Sequence, residues 1–365
     1  MRMVRRRRRR GGGETLPSGA RVLVYRWDLD KTYLRSEFGT IRELLRTAFE
    51  RAEDKVDVPG VAELIRALKP AAERRGCRAL IHFVSASPPQ IGKAIRAKLD
   101  LDRVPYDGIV FKNQLQHLRP GKLHNLRQHA GFKLIELLRG RLDLPREAPE
   151  FLFGDDWESD SLIYSLYADV VAGRVGPGRL GPILRRIGVD PVQSEEVLGL
   201  AARAAGADVV ERIFINLERR TPPADFRLFG RRVVPTFNYL QTAAVLAADG
   251  HLDAEDVVRV GGVLCGEAGY TARQIDNSLG DLVRRAHLTS AKAAALRQKL
   301  RAAGLLPPAA EPPWRRVVGA LKRIRARGRE KTEASGRGGS DAAVDYDAIL
   351  DRLRPATHGG REARS

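Results

Sequence analysis

Two aspartates stand two residues apart in Asp28-Leu29-Asp30-Lys31-Thr32, directly after the apolar stretch Arg21 to Trp27. A carboxylate in such a place can attack phosphorus and carry the phosphoryl group as an aspartyl-phosphate. A second carboxyl two residues on can protonate the leaving oxygen and later activate water. Alone, the five-residue pattern describes an ordinary acidic turn equally well. Three later features give it company. Ser85 closes a second apolar stretch and opens Ser85-Ala86-Ser87-Pro88-Pro89-Gln90. A hydroxyl and free backbone N–H groups at a strand-to-helix turn suit a phosphate oxygen. Lys133 opens a helical stretch and offers that phosphate a cation, with Lys112 and Lys122 nearby as competitors. Finally, Gly154-Asp155-Asp156-Trp157-Glu158-Ser159-Asp160 crowds acids together after a further apolar stretch. Packed carboxylates repel unless a cation lies among them, and hard oxygen ligands with open positions suit Mg²⁺. Such an ion would neutralise a phosphate and orient it for in-line attack by Asp28.

These residues need elements that hold them at one place. Strands are expected over 21–27, 78–84, 108–111, 150–153 and 168–171. Helices are expected over 40–52, 61–75 and 132–142, with another around 164–167. Strands alternating with helices imply right-handed crossovers and a parallel α/β sheet. Ligands bind beyond the carboxyl ends of the strands in such a sheet, where Asp28, Ser85 and Asp155 all fall. Past Gly173 the texture changes. Gly176 to Pro182 reads as a hinge, 194–205 as an alanine-rich helix and 213–217 as a further strand. Helical stretches then follow at 238–248, 254–265, 272–286 and 291–303, with Thr271 and Gln274 spaced as a capping box. The expected organisation is an arginine-rich tail and linker (1–20), a catalytic domain (21–180) and a mostly helical domain (181–306). A linker, a basic amphipathic segment and a tail (307–365) complete it, with a short docking helix over 348–354.

At 365 residues the chain exceeds the ~150 of a typical domain. Lys and Arg number 64 against 45 Asp and Glu, a net charge of +19. Most of that excess sits in two runs, Arg2 with Arg5 to Arg10, and residues 314–331. Basic tails on a mildly basic body suit an anionic partner, a membrane surface or, less favoured, a nucleic acid. Trp314, Val317, Val318, Leu321 and Ile324 recur at helical spacing opposite arginines and lysines, a pattern fit for a membrane interface. No apolar run reaches the ~18 residues of a membrane span. Two cysteines without a motif, and no apolar signal region, set the expectation of a reducing cytoplasm, with peripheral attachment to a membrane. His82 is expected as a packed core residue, and His117, His124 and His129 are too irregularly spaced for a metal site.

The order of acid pair, hydroxyl, lysine and acid cluster resembles the haloacid dehalogenase superfamily of aspartate-nucleophile phosphatases. Pro59-Gly60-Val61-Ala62-Glu63-Leu64, the stretch FVSASPPQ from Phe83, and GDDWESD with Tyr164 beyond it narrow the likeness. They look like the catalytic domain of the actin-patch phosphatidate phosphatase family, with lipins as more distant relatives. The resemblance covers about Arg21 to Val175. It implies a three-layer parallel sheet without a large cap, followed by a small all-α domain. It also implies a Mg²⁺-dependent phosphomonoester hydrolase acting on phosphatidate or a related lipid phosphate. Carried over by position, Asp28 is the nucleophile and Asp30 the general acid/base. Mg²⁺ would be held by the Asp28 side chain, the Asp30 backbone carbonyl and Asp155, with Asp160 supporting. Ser85 and Lys133 would hold phosphate, Thr32 would brace the nucleophile loop, and Ser87 and Asp156 are supporting positions. Asp156 stands where a small hydroxyl residue is expected, and Trp157 replaces a small residue. From Asp28 to Ser85 is 57 residues and from Ser85 to Lys133 another 48, leaving no room for a large cap and admitting a bulky substrate. Two alternatives stay open. One is the same chemistry on a nucleic-acid end, a protein or a small molecule; the other is a non-catalytic scaffold on this fold.

Overall fold

The computed structural model describes residues 21–29, 32–33, 57–85, 90, 92–112, 122–157, 159–308 and 344–353. The arginine run, the stretch 40–52, the segment 314–331, Asp30, Ser87 and His117 lie outside them. So do the side chains of Lys122, His124 and His129. The strands are β1 (Arg21–Asp28), β2 (Cys77–Ser85), β3 (Gly108–Phe111), β4 (Glu150–Asp155), β5 (Val210–Asn216) and β6 (Val233–Thr236). They form one parallel sheet in the order β3-β2-β1-β4-β5-β6.

Alternation along the strands sorts side chains to two faces. Tyr25, Trp27, Phe83, Phe151, Phe153 and Phe214 enter one apolar cluster. Helices α1 (Val61–Glu73), α2 (Gly92–Leu101), α7 (Tyr239–Ala248), α8 (Ala254–Gly266), α9 (Ala272–Arg284) and α10 (Ser290–Ala302) cover that face. Leu152, Ile213 and Ile215 point to the other face. It is covered by α3 (Lys122–Leu142), α4 (Asp160–Val171), α5 (Pro177–Ile187), α6 (Pro191–Ala204) and α11 (Tyr346–Leu353). The result is three layers. The boundary expected near residue 180 falls inside one continuous sheet, because β5 and β6 lie beyond it. Helices α7 to α10 share an apolar cluster with β1 and β2.

Two local expectations change. Residues 168–171 are the last turn of α4, and the glycine-proline stretch from Pro177 opens α5 instead of forming a hinge. From Leu162 to Val171 every residue of α4 is buried, because the helix packs on β4 and β5 beneath α3 and α6. A helix apolar on all sides has no polar stripe, so a short window of it reads like a buried strand. Pro177 occupies the first helical turn, where its missing N–H costs no hydrogen bond. At the far end, α11 docks on α5. Tyr346 is fully buried and donates its hydroxyl to Asp169 at 2.6 Å, while Arg186 pairs with Asp347 and with Asp351.

The central strands carry buried charge on the α3–α4 face. Glu150 accepts from Arg26 at 2.6 Å, Arg141 at 2.7 Å and the Tyr167 hydroxyl at 2.8 Å. Burial would raise the Glu150 carboxyl, yet Arg26 and Arg141 hold it below its ordinary value. His82, beside Arg26 on β2, is lowered to about 4 by burial and by that guanidinium, so it is neutral at physiological pH. A lowered folded-state value means that the contribution of Glu150 is complete above the unfolded carboxyl's ~4.3. It is lost as pH falls through the lower folded value. Glu150→Gln strands two buried cations, and we expect it to cost about 3–5 kcal/mol at pH 7. Urea unfolding of both proteins at pH 7 and at pH 3 checks this, with the difference shrinking at the lower pH.

Candidate active site

The order β3-β2-β1-β4-β5-β6 reverses direction between β1 and β4, and a crevice opens beyond their carboxyl ends at such a switch point. Asp28 ends β1 and Asp155 ends β4. Their relative height is set one layer below. Trp27 pairs with Phe153, and Phe153 with Phe214, as neighbours across β1, β4 and β5. The Trp27 and Phe153 rings stack with centroids 3.7 Å apart, and Phe153 stacks on Phe214 at 5.1 Å. A one-residue slip would turn these rings to the wrong face and carry the acids with them.

Four charged side chains converge there, each no more than 1% exposed: Asp28, Lys133, Asp155 and Asp160. Lys133 reaches in from α3, with Nζ 3.0 Å from Asp28 Oδ1 and 2.6 Å from Asp160 Oδ1. Asp160, first residue of α4, accepts the Asp155 backbone N–H through Oδ2 at 3.3 Å. Asp155 accepts the Trp157 N–H through Oδ1 at 2.6 Å. Among the described residues, one oxygen from each of the three carboxylates lies within 4.8 Å of the others. Among the described residues, three carboxylates face one ammonium here, an excess of negative charge at a buried site. Buried charge of that size needs compensation. A divalent cation matches it, and the hard, all-oxygen donor set suits one. The residues present therefore fit a divalent metal ion.

Gly154 makes this approach possible. A Cβ there would stand 2.3 Å from Asp160 Oδ2 and 2.6 Å from Asp160 Cβ, so only glycine lets α4 begin over the end of β4. Other residues surround the group. Ser85 is fully buried at the end of β2, one residue past the partner of Asp28. Thr32 is buried too, and its carbonyl accepts the Tyr239 hydroxyl at 2.5 Å, tying the turn after β1 to α7. Tyr164 donates its hydroxyl to the Phe153 carbonyl at 3.4 Å. Burial first, then the charge of Asp160, holds its phenol well above the ordinary value, so it stays protonated. Of the three lysines weighed from the sequence, Lys112 follows β3, on the far side of β2 from Asp28.

Asp156 does not join the metal-fitting group. Its oxygens accept the backbone N–H groups of Arg219 at 2.9 Å and Thr221 at 3.0 Å, so it braces the loop after β5. The sequence reading missed that loop. The available signal was its place after a strand at the same sheet edge, which a boundary at residue 180 hid.

Residues 27–177 match the family model described as phosphatidate phosphatase APP1, catalytic domain. Over that span the chain is similar to a family of phosphatidate phosphatase-like phosphoric monoester hydrolases. None of the curated proteins and none of the solved structures compared with the chain matches it. Among the described residues, no helix is long and apolar enough to cross a membrane.

The crowding at Gly154 has a measurable consequence. Gly154→Ala displaces Asp160 and is expected to weaken divalent-metal binding by about tenfold or more, as loss of metal-supporting contacts does. Calorimetric titration with Mg²⁺ checks this, alongside a circular dichroism spectrum like that of the wild type.

Proposed function

We propose that this chain, whose residues 27–177 match the catalytic-domain model of that family, releases phosphate from phosphatidate or a related lipid phosphomonoester with Mg²⁺ as its ion. The observation that supports this reading best is the convergence of Asp28, Asp155, Asp160 and Lys133 at the switch point of a parallel sheet. In this reading Asp28, Asp155 and the backbone carbonyl of Asp30 hold the ion, with Asp160 supporting. Bound there, Mg²⁺ supplies charge neutralisation for the phosphate.

The chain's own residues do the rest. A carboxylate oxygen of Asp28 attacks phosphorus as the bond to the ester oxygen breaks. Asp30 gives its proton to the departing oxygen, and then, as a carboxylate, takes a proton from the water that attacks the aspartyl-phosphate. Inorganic phosphate leaves and both aspartates return to their starting states. Ser85 and Lys133 hold the phosphate oxygens, with Lys133 also keeping Asp28 and Asp160 aimed at the reacting centre. Thr32 braces the nucleophile turn.

Phosphate release from phosphatidate in mixed micelles, with a soluble aryl phosphate alongside, tests the proposal. Asp28→Asn is expected to lower release from both by roughly 10⁴-fold or more, as loss of a nucleophile does. Chelation of Mg²⁺ should do the same reversibly. Lys133→Met is expected to cost about 10²–10³-fold, in line with removal of one preorganised charge-stabilising contact. Release that survives Asp28→Asn would overturn the mechanism, and release from the aryl phosphate alone would remove the lipid substrate.

A further inference from the structure

Asp156 and Trp157, neighbours in the acid loop after β4, both engage the loop after β5. Asp156 fixes the backbone at Arg219 and Thr221, and Arg220 between them takes a left-handed conformation at φ 57°. That loop lays the Arg219 guanidinium over the Trp157 ring, 4.7 Å from its centroid. Trp157 stays 46% exposed, two residues from the metal-fitting Asp155. The next strand of the sheet repeats the motif. Phe237, directly after β6, is 43% exposed and carries the Arg285 guanidinium 5.9 Å from its ring centroid. Arg285 is held in place by the Pro235 carbonyl at 2.7 Å and by Asp281. Among the described residues, these are the only two aromatic side chains in the set of exposed large hydrophobics. Both lie at the carboxyl edge of the sheet, the edge onto which the buried acids open.

An exposed aromatic ring with a guanidinium on its face suits the boundary between acyl chains and phosphates. The ring favours the headgroup level, and the guanidinium matches phosphate geometry. An isolated soluble substrate gives no reason to keep two such rings in water. A lipid phosphate lies at the headgroup level of a bilayer, and four acid-site residues are at most 1% exposed. The site must therefore be brought to the surface edge-on, and a net charge of +19 favours an anionic one. We propose that Trp157 with Arg219, and Phe237 with Arg285, form the surface by which this protein seats its active-site edge on an anionic bilayer. This rests on the lipid-phosphomonoester reading above.

The test uses the full chain and vesicles of phosphatidylcholine with phosphatidylserine, which supply anionic charge without a phosphomonoester. The double variant Trp157→Ser/Phe237→Ser keeps the net charge, so the basic segments act on it as on the wild type. Its vesicle co-sedimentation is expected to weaken by about tenfold, equivalent to ~1.4 kcal/mol. Release from phosphatidate-containing vesicles should fall in parallel, with aryl-phosphate turnover and melting temperature retained. Arg219→Glu should weaken sedimentation as well. Undiminished sedimentation of the double variant overturns the proposal. So does loss of aryl-phosphate turnover with sedimentation intact, which would make the pair a brace of the acid site. Failure of the lipid reading looks different: the wild type would hydrolyse the aryl phosphate and not phosphatidate, whatever the vesicles bind.

Discussion

Three carboxylates and one ammonium share a buried space, and the rest of the structure answers to that constraint. Asp28, Asp155 and Asp160 cannot stay ionised side by side without positive charge, and Lys133 supplies only part of it. Each is held by a different element, β1, β4, α4 and α3. The site therefore exists only if those four are placed to within a fraction of an ångström. Repulsion among the acids opposes folding, so the surrounding core must impose the geometry.

The core does so from two sides. On one face, Trp27, Phe153 and Phe214 stack across three adjacent strands just below the acids and lock their register. On the other, Glu150 ties β4 to β1 through Arg26 and to α3 through Arg141. Arg141 lies on the helix that carries Lys133, so the buried ion network and the lysine of the acid cluster share a rigid rod. Thr32 and Tyr239 add a link to α7, well beyond the family span. The acid site and the late helices are thus mechanically joined.

The acid cluster was legible because its members lay in short patterns after apolar runs: DLDKT and GDDWESD each follow a strand and place acids at its end. The parallel sheet followed from the same alternation. What was hidden depended on contacts distant in sequence. α4 read partly as a strand because it is buried on every side. Arg26 sat unremarked in a strand, although a charge at a central position demands a partner, found here in Glu150. Gly154 looked like a turn glycine until Asp160 was seen to lie across it. The change of texture after Gly173 looked like a domain boundary. Yet β5 and β6 complete the same sheet, because a strand's partner is set by topology and not by the composition around it.

That last point separates the two halves of the sheet by what they contribute. The family match ends at residue 177, and the carboxylates, Ser85 and Lys133 all lie inside it. The loops after β5 and β6 lie outside it and border the same edge. The acid loop reaches out to the loop after β5 through Asp156 and Trp157. Asp156 accepts the backbone N–H groups of Arg219 and Thr221, and the Arg219 guanidinium lies over the Trp157 ring, so the two loops hold each other. The matched span therefore carries the buried acids and their lysine, while the loops beyond it border the same edge of the sheet.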